Sequence, residues 1–110
     1  MTYTSLDAAD VPAAAGRLRT EHGARLVLVF AEDRLGAENA FHVYYVFERP
    51  GDPVYLILRA SLAEGQTSFP SLAAELPAVN WQEREIQDMF GLEAAGHPNP
   101  RRVALSIPAP

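Results

Sequence analysis

Residues 41–60 have the sequence FHVYYVFERPGDPVYLILRA, and this stretch determines the fold class. Side chains at 41–48 and at 54–60 alternate between two faces with the period of two that is typical of β-strands. Between these runs, Pro-Gly-Asp-Pro at 50–53 is a strong turn signal. Because a connection this short joins antiparallel neighbours, the stretch predicts a hairpin within a β-meander.

Further elements are predicted on the N-terminal side of this hairpin. Residues 25–31 are almost entirely apolar, which suits a central strand, whereas residues 33–39 are polar and predict a loop. A helix is predicted to begin after Asp10, a candidate N-cap, and to stop at Gly23. Residues 3–6 predict a short edge strand.

A second helical region is predicted on the C-terminal side. Residues 71–76 fit one or two helical turns before a proline interrupts them. Asn80 then restarts the helix, and Glu83 lies at the position from which a capping box reaches back to the Asn80 amide. Gly91 ends this helix. Its predicted core stripe is Val79, Ile86, Met89 and Phe90.

The order β-α-β-β-β-α predicts an α+β two-layer sandwich, a mostly antiparallel sheet with helices on one face. The predicted division is an α+β domain at residues 1–92 and an extended, proline-rich docking tail at residues 93–110.

Composition excludes several classes of function. The chain has 110 residues, 14 acidic and 9 basic, with a formal charge of −5, which argues against nucleic-acid binding. Cysteine is absent, which excludes disulfides, cysteine-ligated iron–sulfur clusters and thiol catalysis. All nine basic residues are arginine, so Schiff-base chemistry and a P-loop lysine are excluded as well.

The expected location follows from the apolar runs. The longest run, residues 26–31, is far shorter than the roughly 20 residues of a membrane span, and the first residues do not have the pattern of a secretory signal. The cytoplasm is therefore the expected compartment.

The helix predicted after Asn80 is unusually charged. Glu85 and Asp88 are three residues apart and share a face, and Asp88 falls in the last turn, where a negative charge opposes the helix dipole. The simplest interpretation is a solvated helix face. An alternative is a metal site made by Glu85, Asp88 and His97 in a small metal-dependent enzyme.

The residues after this helix suggest a docking arm. Pro98 and Pro100 stiffen the segment, and paired guanidiniums at Arg101 and Arg102 can form bidentate bonds to carboxylates on a partner. The alternative is a frayed terminus with two solvated arginines.

The same residues resemble a known signature. Residues 81–91 fit the pattern W-x-E-R-E-x-x-D-x-x-G, and residues 96–102 fit G-H-P-x-x-R-R. This is similar to the signature of the 30-kDa subunit of respiratory complex I, an NADH:quinone oxidoreductase (NADH dehydrogenase). Related domains occur in membrane-bound nickel–iron (NiFe) hydrogenases, including formate hydrogenlyase, and the sequence around residues 91–93 and 97–101 is somewhat closer to that branch.

The resemblance implies a structural role within an electron-transfer complex. It implies a subunit without a cofactor, a metal or catalytic residues, which packs against a large quinone-site or hydrogenase-like subunit and reaches the cytoplasmic face of the inner membrane only through that complex. The chain is then expected to be either a domain of a longer protein or a short variant. The residues implied as interface and fold-fixing positions are Trp81, Glu83, Arg84, Glu85, Asp88, Gly91, His97, Pro98, Arg101 and Arg102.

One further alternative remains at this level. A stand-alone adaptor or regulator with the same fold would show the same residues, and it would be encoded without a neighbouring large subunit.

Overall fold

The computed structural model describes residues 2–38, 40–63, 65–74 and 76–98. No helix in these ranges has the length and apolar character needed to cross a membrane. Two 3₁₀ turns, at Ala8–Asp10 and Pro77–Val79, precede helices. The elements are β1 (Thr2–Asp7), α1 (Val11–His22), β2 (Arg25–Arg34), α2 (Leu35–Glu38), β3 (Ala40–Arg49), β4 (Asp52–Ala63), β5 (Ser68–Pro70), α3 (Asn80–Phe90) and β6 (Glu93–Ala95).

The main sheet has the strand order β1-β4-β3-β2. The β3–β4 and β2–β3 pairs are antiparallel, whereas β1 runs parallel to β4. The predicted α+β class with a mostly antiparallel sheet is therefore confirmed. A separate small sheet joins β5 to β6 in parallel.

One face of the main sheet forms the core. Val43, Tyr45 and Phe47 of β3 are fully buried and pack in one cluster with α1 and α3. Their partners across the β3–β4 ladder are Ala60, Leu58 and Leu56 in that order, so the hairpin register places apolar side chains opposite one another. The opposite face of the sheet carries exposed aromatic and aliphatic side chains.

The position of β2 corrects a prediction. Residues 25–31 were expected to form a central strand, but β2 lies at the sheet edge and extends to Arg34. Its apolar content does not reflect burial on two faces, because Leu28 and Phe30 are exposed. The loop predicted at 33–39 is wrong for the described residues, since β2 extends to Arg34 and α2 occupies Leu35–Glu38.

The helix predicted at residues 71–76 is also wrong, because the described residues there form a turn. Pro77 disfavours a helical conformation of the residue before it, and Leu76 has φ −129° and ψ 77°. One α-type bond remains, from the Leu76 amide to the Leu72 carbonyl (2.8 Å). The Leu72 amide is bound by a side chain of α3 instead.

The predicted tail begins inside the folded unit. Ala94 of β6 and the side chain of His97 are buried, and the Ser71 amide donates to the Ala95 carbonyl (2.9 Å). Residues 93–98 therefore pack on the domain, whereas residues 99–110 lie outside the described part of the chain.

Candidate functional site

The candidate site is α3 together with the residues that follow it up to Pro98. The buried positions of the turn and helix are Val79, Glu83 and Ile86. Their spacing of four and three residues places them on one helical face, which Phe90 extends with an edge-on contact to Phe41 (5.6 Å between ring centroids).

Met89 was predicted to belong to this core stripe and does not. Its side chain is 69% exposed, because position 89 falls in the row of Trp81 and Glu85 on the outer face of α3. Glu83 occupies the core position instead.

Glu83 is the centre of a buried hydrogen-bond network. Its side chain has no exposed surface. The Ser71 hydroxyl donates to Oε1 (2.6 Å), and the Leu72 amide donates to Oε2 (2.8 Å). The predicted capping box is therefore wrong: Val79 is the N-cap of α3, no side chain caps that end, and Glu83 reaches a turn eleven to twelve residues earlier.

The electrostatics of Glu83 follow from this position. Burial raises the pKa of the carboxyl group, because the interior disfavours the charged form. The bonds from Leu72 and Ser71, together with the nearby His97 imidazole, partly counteract that rise in pKa by stabilising the carboxylate. Burial and the charge of Glu83 also raise the pKa of the Tyr45 hydroxyl.

His97 closes the network from the far end of the segment. Its side chain is almost completely buried, with Nε2 at 3.2 Å from the Asn80 carbonyl and 3.9 Å from Glu83 Oε1. Since a carbonyl only accepts, the Nε2–H group donates to it. His97 therefore ties the last described residues to the start of α3.

The outer face of α3 has the opposite character. Trp81 is 57% exposed, and its indole N–H donates to the Glu85 carboxylate one turn later. Arg84 and Asp88 are partly exposed, and both take part in polar interactions. Gly91 ends the helix at φ 69°, a left-handed conformation that favours glycine.

The predicted metal site is not formed. Glu85 lies on the outer face with Trp81, whereas the His97 imidazole faces Asn80 and Glu83 in the interior. Among the described residues, no group of three His, Asp or Glu side chains is placed to hold a metal ion. The hypothesis of a metal-dependent enzyme at Glu85, Asp88 and His97 is therefore wrong.

A groove of about 560 Å³ lies between the end of α3 and β6. Asp88 and Glu93 line this groove, which lies near the C-terminal end of α3, the negative end of the helix dipole. The electrostatic field in the groove therefore favours cationic groups. The lining residues are Gln87, Asp88, Gly91, Leu92, Glu93, Ala94, Gly96 and His97.

Comparison with known proteins identifies the family. The family model described as respiratory-chain NADH dehydrogenase, 30 Kd subunit, matches residues 4–108. The chain belongs to this family. The resemblance found in residues 81–102 is thereby confirmed.

Relatives of this 30-kDa subunit family occur in both branches. A subunit of the NADH-quinone oxidoreductase of Rhodopseudomonas palustris (strain BisB18) is 35% identical over 102 residues, covering 90% of this chain and 51% of that protein. Hydrogenase-4 component G of Escherichia coli (strain K12) is 33% identical over 86 residues, covering 77% of this chain and 16% of that protein. The chain thus spans about half of the first relative and a small part of the second.

The fold has a counterpart among solved structures. A trypsin-resistant fragment (1–134) of Nqo5 superposes with a TM-score of 0.74 at 21% sequence identity, covering 88% of this chain and 80% of the fragment. This likeness shows that the chain has the same fold as that fragment.

Two members of the buried network were not predicted from the sequence. They are the Ser71 hydroxyl, which donates to Glu83, and the Asn80 carbonyl, which accepts from His97. The spacing of Val79, Glu83 and Ile86 is the signal that identifies Glu83 as a core position. No comparable signal exists for Ser71, because its contact with Glu83 is tertiary.

Proposed function

We propose that the chain is a docking domain without a redox group of its own, within an NADH:quinone oxidoreductase or a related membrane-bound hydrogenase. The observation that carries the proposal is the difference in burial between the inner and outer faces of α3. On its inner side, Glu83 of α3 is buried together with His97 from the segment after β6, whereas Trp81 and Met89 on its outer face are exposed. Exposed large apolar side chains on a fixed helix are typical of a protein interface.

The composition supports the absence of a redox group. A chain without cysteine supplies no thiolate to an iron–sulfur cluster. The buried acid of the motif is used internally, since Glu83 accepts two hydrogen bonds from the turn at 71–72. Electrons would then pass through neighbouring subunits.

The relatives support a partner within a complex. Their names describe a subunit of NADH-quinone oxidoreductase and a component of hydrogenase-4. We infer that the partner of this chain is the large subunit that forms the quinone site or the nickel–iron site. Association with the cytoplasmic face of the membrane would occur only through that complex.

The docking arm is the part of this proposal that starts at His97. Because His97 is buried against α3, the chain is held on the domain up to Pro98, the last described residue. Arg101 and Arg102 follow within four residues of Pro98 and can form bidentate bonds to carboxylates of the partner.

The test is capture from native membranes with the tagged chain as bait, followed by mass spectrometry. The wild-type chain is expected to recover a quinone-site or nickel–iron large subunit. The variant Arg101→Ala/Arg102→Ala should recover at least about tenfold less of the large subunit than the wild type does. A loss of this size is typical when charge-assisted contacts at an interface are removed.

The matched control removes two arginines elsewhere. Arg17→Ala/Arg49→Ala changes the net charge equally and lies on exposed positions of α1 and β3. It should recover as much partner as the wild type. Recovery of no large subunit by the wild-type chain would refute the docking function and favour a stand-alone adaptor. If both double variants recovered equal amounts of the large subunit, Arg101 and Arg102 would not be the docking contacts.

A further inference from the structure

The face of the main sheet that lies opposite α1 and α3 has an apolar centre. Residues 42, 44, 46 and 48 of β3 point to this face, because they alternate with the buried core residues of the same strand. Residues directly opposite one another across a ladder share a face, so the register adds side chains of β2 and β4. We call this surface the open sheet face. Its apolar members are Leu28, Phe30, Tyr44, Val46, Tyr55 and Ile57.

This apolar character is unusual for the outer face of an antiparallel sheet. Such a face is commonly polar, because alternation places the apolar side chains in the core. Here Leu28, Phe30 and Tyr55 are 44%, 41% and 45% exposed. The ring of Phe30 stacks on Tyr44 with centroids 4.8 Å apart, so the aromatic surface is fixed before any contact forms. Contiguous apolar surface of this kind marks an interaction site.

The charged groups around the apolar centre are nearly balanced. Arg25 donates to Glu48 (2.8 Å), and the Tyr44 hydroxyl donates to Glu32 (2.9 Å). The chain has a formal charge of −5, so its acidic excess lies on other surfaces, where salt screens it beyond about 8 Å. Among the described residues of β2, β3 and β4, three arginines and two glutamates belong to this face: Arg25, Arg34, Arg59, Glu32 and Glu48.

The open sheet face is complementary to itself about a two-fold axis that follows β3. Because β4 and β2 flank β3, such an axis places β4 of one copy over β2 of the other at the same height. Ile57 and Leu28 both lie opposite Val46 in the register. Ile57 of each copy then faces Leu28 of the other, and Val46 faces Val46. Sheets packed face to face keep their strands within about 30° of each other, which preserves these contacts.

The same axis joins opposite charges. Arg59 and Phe30 both lie opposite Tyr44, so Arg59 of one copy faces the Phe30 ring of the other, a cation–π arrangement. Glu32 is two residues farther along β2, about 7 Å away and within reach of the long arginine side chain. Arg59 uses one donor on the Ser5 hydroxyl (2.8 Å), and a guanidinium has several more to offer.

We infer that the open sheet face binds a second copy of this chain in a symmetric dimer, with Arg59 of each copy paired to Glu32 of the other. The inference is independent of the proposed docking function, because α3 packs on the opposite face of the sheet. The dimer therefore leaves the outer face of α3 accessible to a large subunit.

The area of the open sheet face predicts a weak dimer. If fully exposed side chains of this size present roughly 150–250 Å² each, Leu28, Phe30 and Tyr55 together expose about 250 Å². Homodimer interfaces are about 65% apolar, so with the partly exposed Val46 and Ile57 the two copies would bury nearly 1,000 Å² in total. This is about the lower limit of a specific interface, for which we expect a dissociation constant of about 10 μM.

Sedimentation equilibrium of the full chain between about 1 and 500 μM measures this constant. Leu28→Glu places a carboxylate in the apolar centre of both copies and should raise the dissociation constant at least about 30-fold, because the charge would be buried without a partner. The matched control Met89→Glu makes the same charge change at an exposed apolar position of α3, and it should stay within about twofold of the wild type.

Charge reversal tests the predicted pair. Arg59→Glu or Glu32→Arg alone should raise the dissociation constant about tenfold, because each places like charges opposite one another. The double variant Arg59→Glu/Glu32→Arg should return to within about threefold of the wild type, since the two charges are again opposite in sign. Urea unfolding of each variant separates a lost contact from a lost fold.

Three results would overturn the inference. The first is a wild type that stays monomeric at the highest concentration, which would leave the open sheet face to a different polypeptide. The second is a dimer that persists in Leu28→Glu or that Met89→Glu dissociates, since the contact would then use another surface. The third is a double variant that folds and does not recover, which would exclude the pairing of Arg59 with Glu32. None of these results bears on the docking function, which is measured by recovery of the large subunit.

Discussion

Replacing Glu83 tests the buried network most severely. Glu83→Ala leaves the Leu72 amide and the Ser71 hydroxyl without their acceptor in the interior, and it opens a cavity beside Ile86. Breaking a buried charged network of this kind costs about 3–5 kcal/mol of the free energy of unfolding. A small domain has only about 5–15 kcal/mol in total, so the variant should be close to the limit of folding.

Glu83→Gln separates the hydrogen bonds from the charge. Its amide oxygen can still accept from the Leu72 amide, and the neutral side chain does not require a charge to be buried. We therefore expect a cost of about 1 kcal/mol or less at neutral pH.

The stability contributed by glutamate at position 83 depends on pH, whereas that contributed by glutamine does not. Burial raises the pKa of Glu83 above its ordinary value of 4.5, so the folded state binds this proton more tightly than the unfolded state does. The contribution of Glu83 to stability is therefore complete below pH 4.5 and declines as the pH rises through the folded pKa. The free energy of unfolding of the wild type, minus that of Glu83→Gln, should fall as the pH rises from about 5.

Urea unfolding of the wild type, Glu83→Ala and Glu83→Gln between about pH 5 and pH 8 measures both effects. Glu85→Gln is the matched control, because it removes an exposed carboxylate from the same helix. Its free energy of unfolding should stay within about 0.5 kcal/mol of the wild type, as is usual for an exposed position. A loss below about 1 kcal/mol for Glu83→Ala, or a difference between the wild type and Glu83→Gln that grows with pH, would refute the reasoning.

Three further predictions concern α3 and its ends. Trp81→Ala should change the free energy of unfolding by no more than about 0.5 kcal/mol in thermal denaturation, because the indole is exposed; a loss of several kcal/mol would place it in the core. Gly91→Ala should lower stability by about 1 kcal/mol in urea because φ is 69°, whereas Gly16→Ala in α1 should raise it by about 0.4–1 kcal/mol; equal effects would contradict the conformational argument. His97→Ala should cost about 1–3 kcal/mol in the same assay, since it removes a buried side chain and its hydrogen bond to the Asn80 carbonyl, and an unchanged midpoint would exclude the role of His97 in fixing the segment.

The elements that depend on local patterns could be predicted from the sequence. The strands expected at 41–48 and 54–60 are β3 and β4, with bounds a few residues wider. Alternation and a proline–glycine turn determine such a hairpin through interactions between near neighbours. Gly23 and Gly91 end their helices as expected, because a left-handed residue is a local requirement.

The errors arise where tertiary contacts prevail over local preference. A capping box at Asn80 and Glu83 is satisfied within one helical turn, but the structure uses Glu83 to bind Ser71 and Leu72. An acidic residue in a core stripe conflicts with hydrophobic periodicity, which favours Met89 for the core in its place. The partners of a buried carboxylate lie far apart in sequence, and periodicity carries no information about them.

An electron cryomicroscopy map of the complex, purified through a tag on this chain, tests the docking function most directly. We expect the large subunit to pack against the outer face of α3, and redox groups to lie only in neighbouring subunits. A map in which Trp81 and Met89 face solvent, or in which this chain itself holds a redox group, would contradict a docking domain that binds through α3.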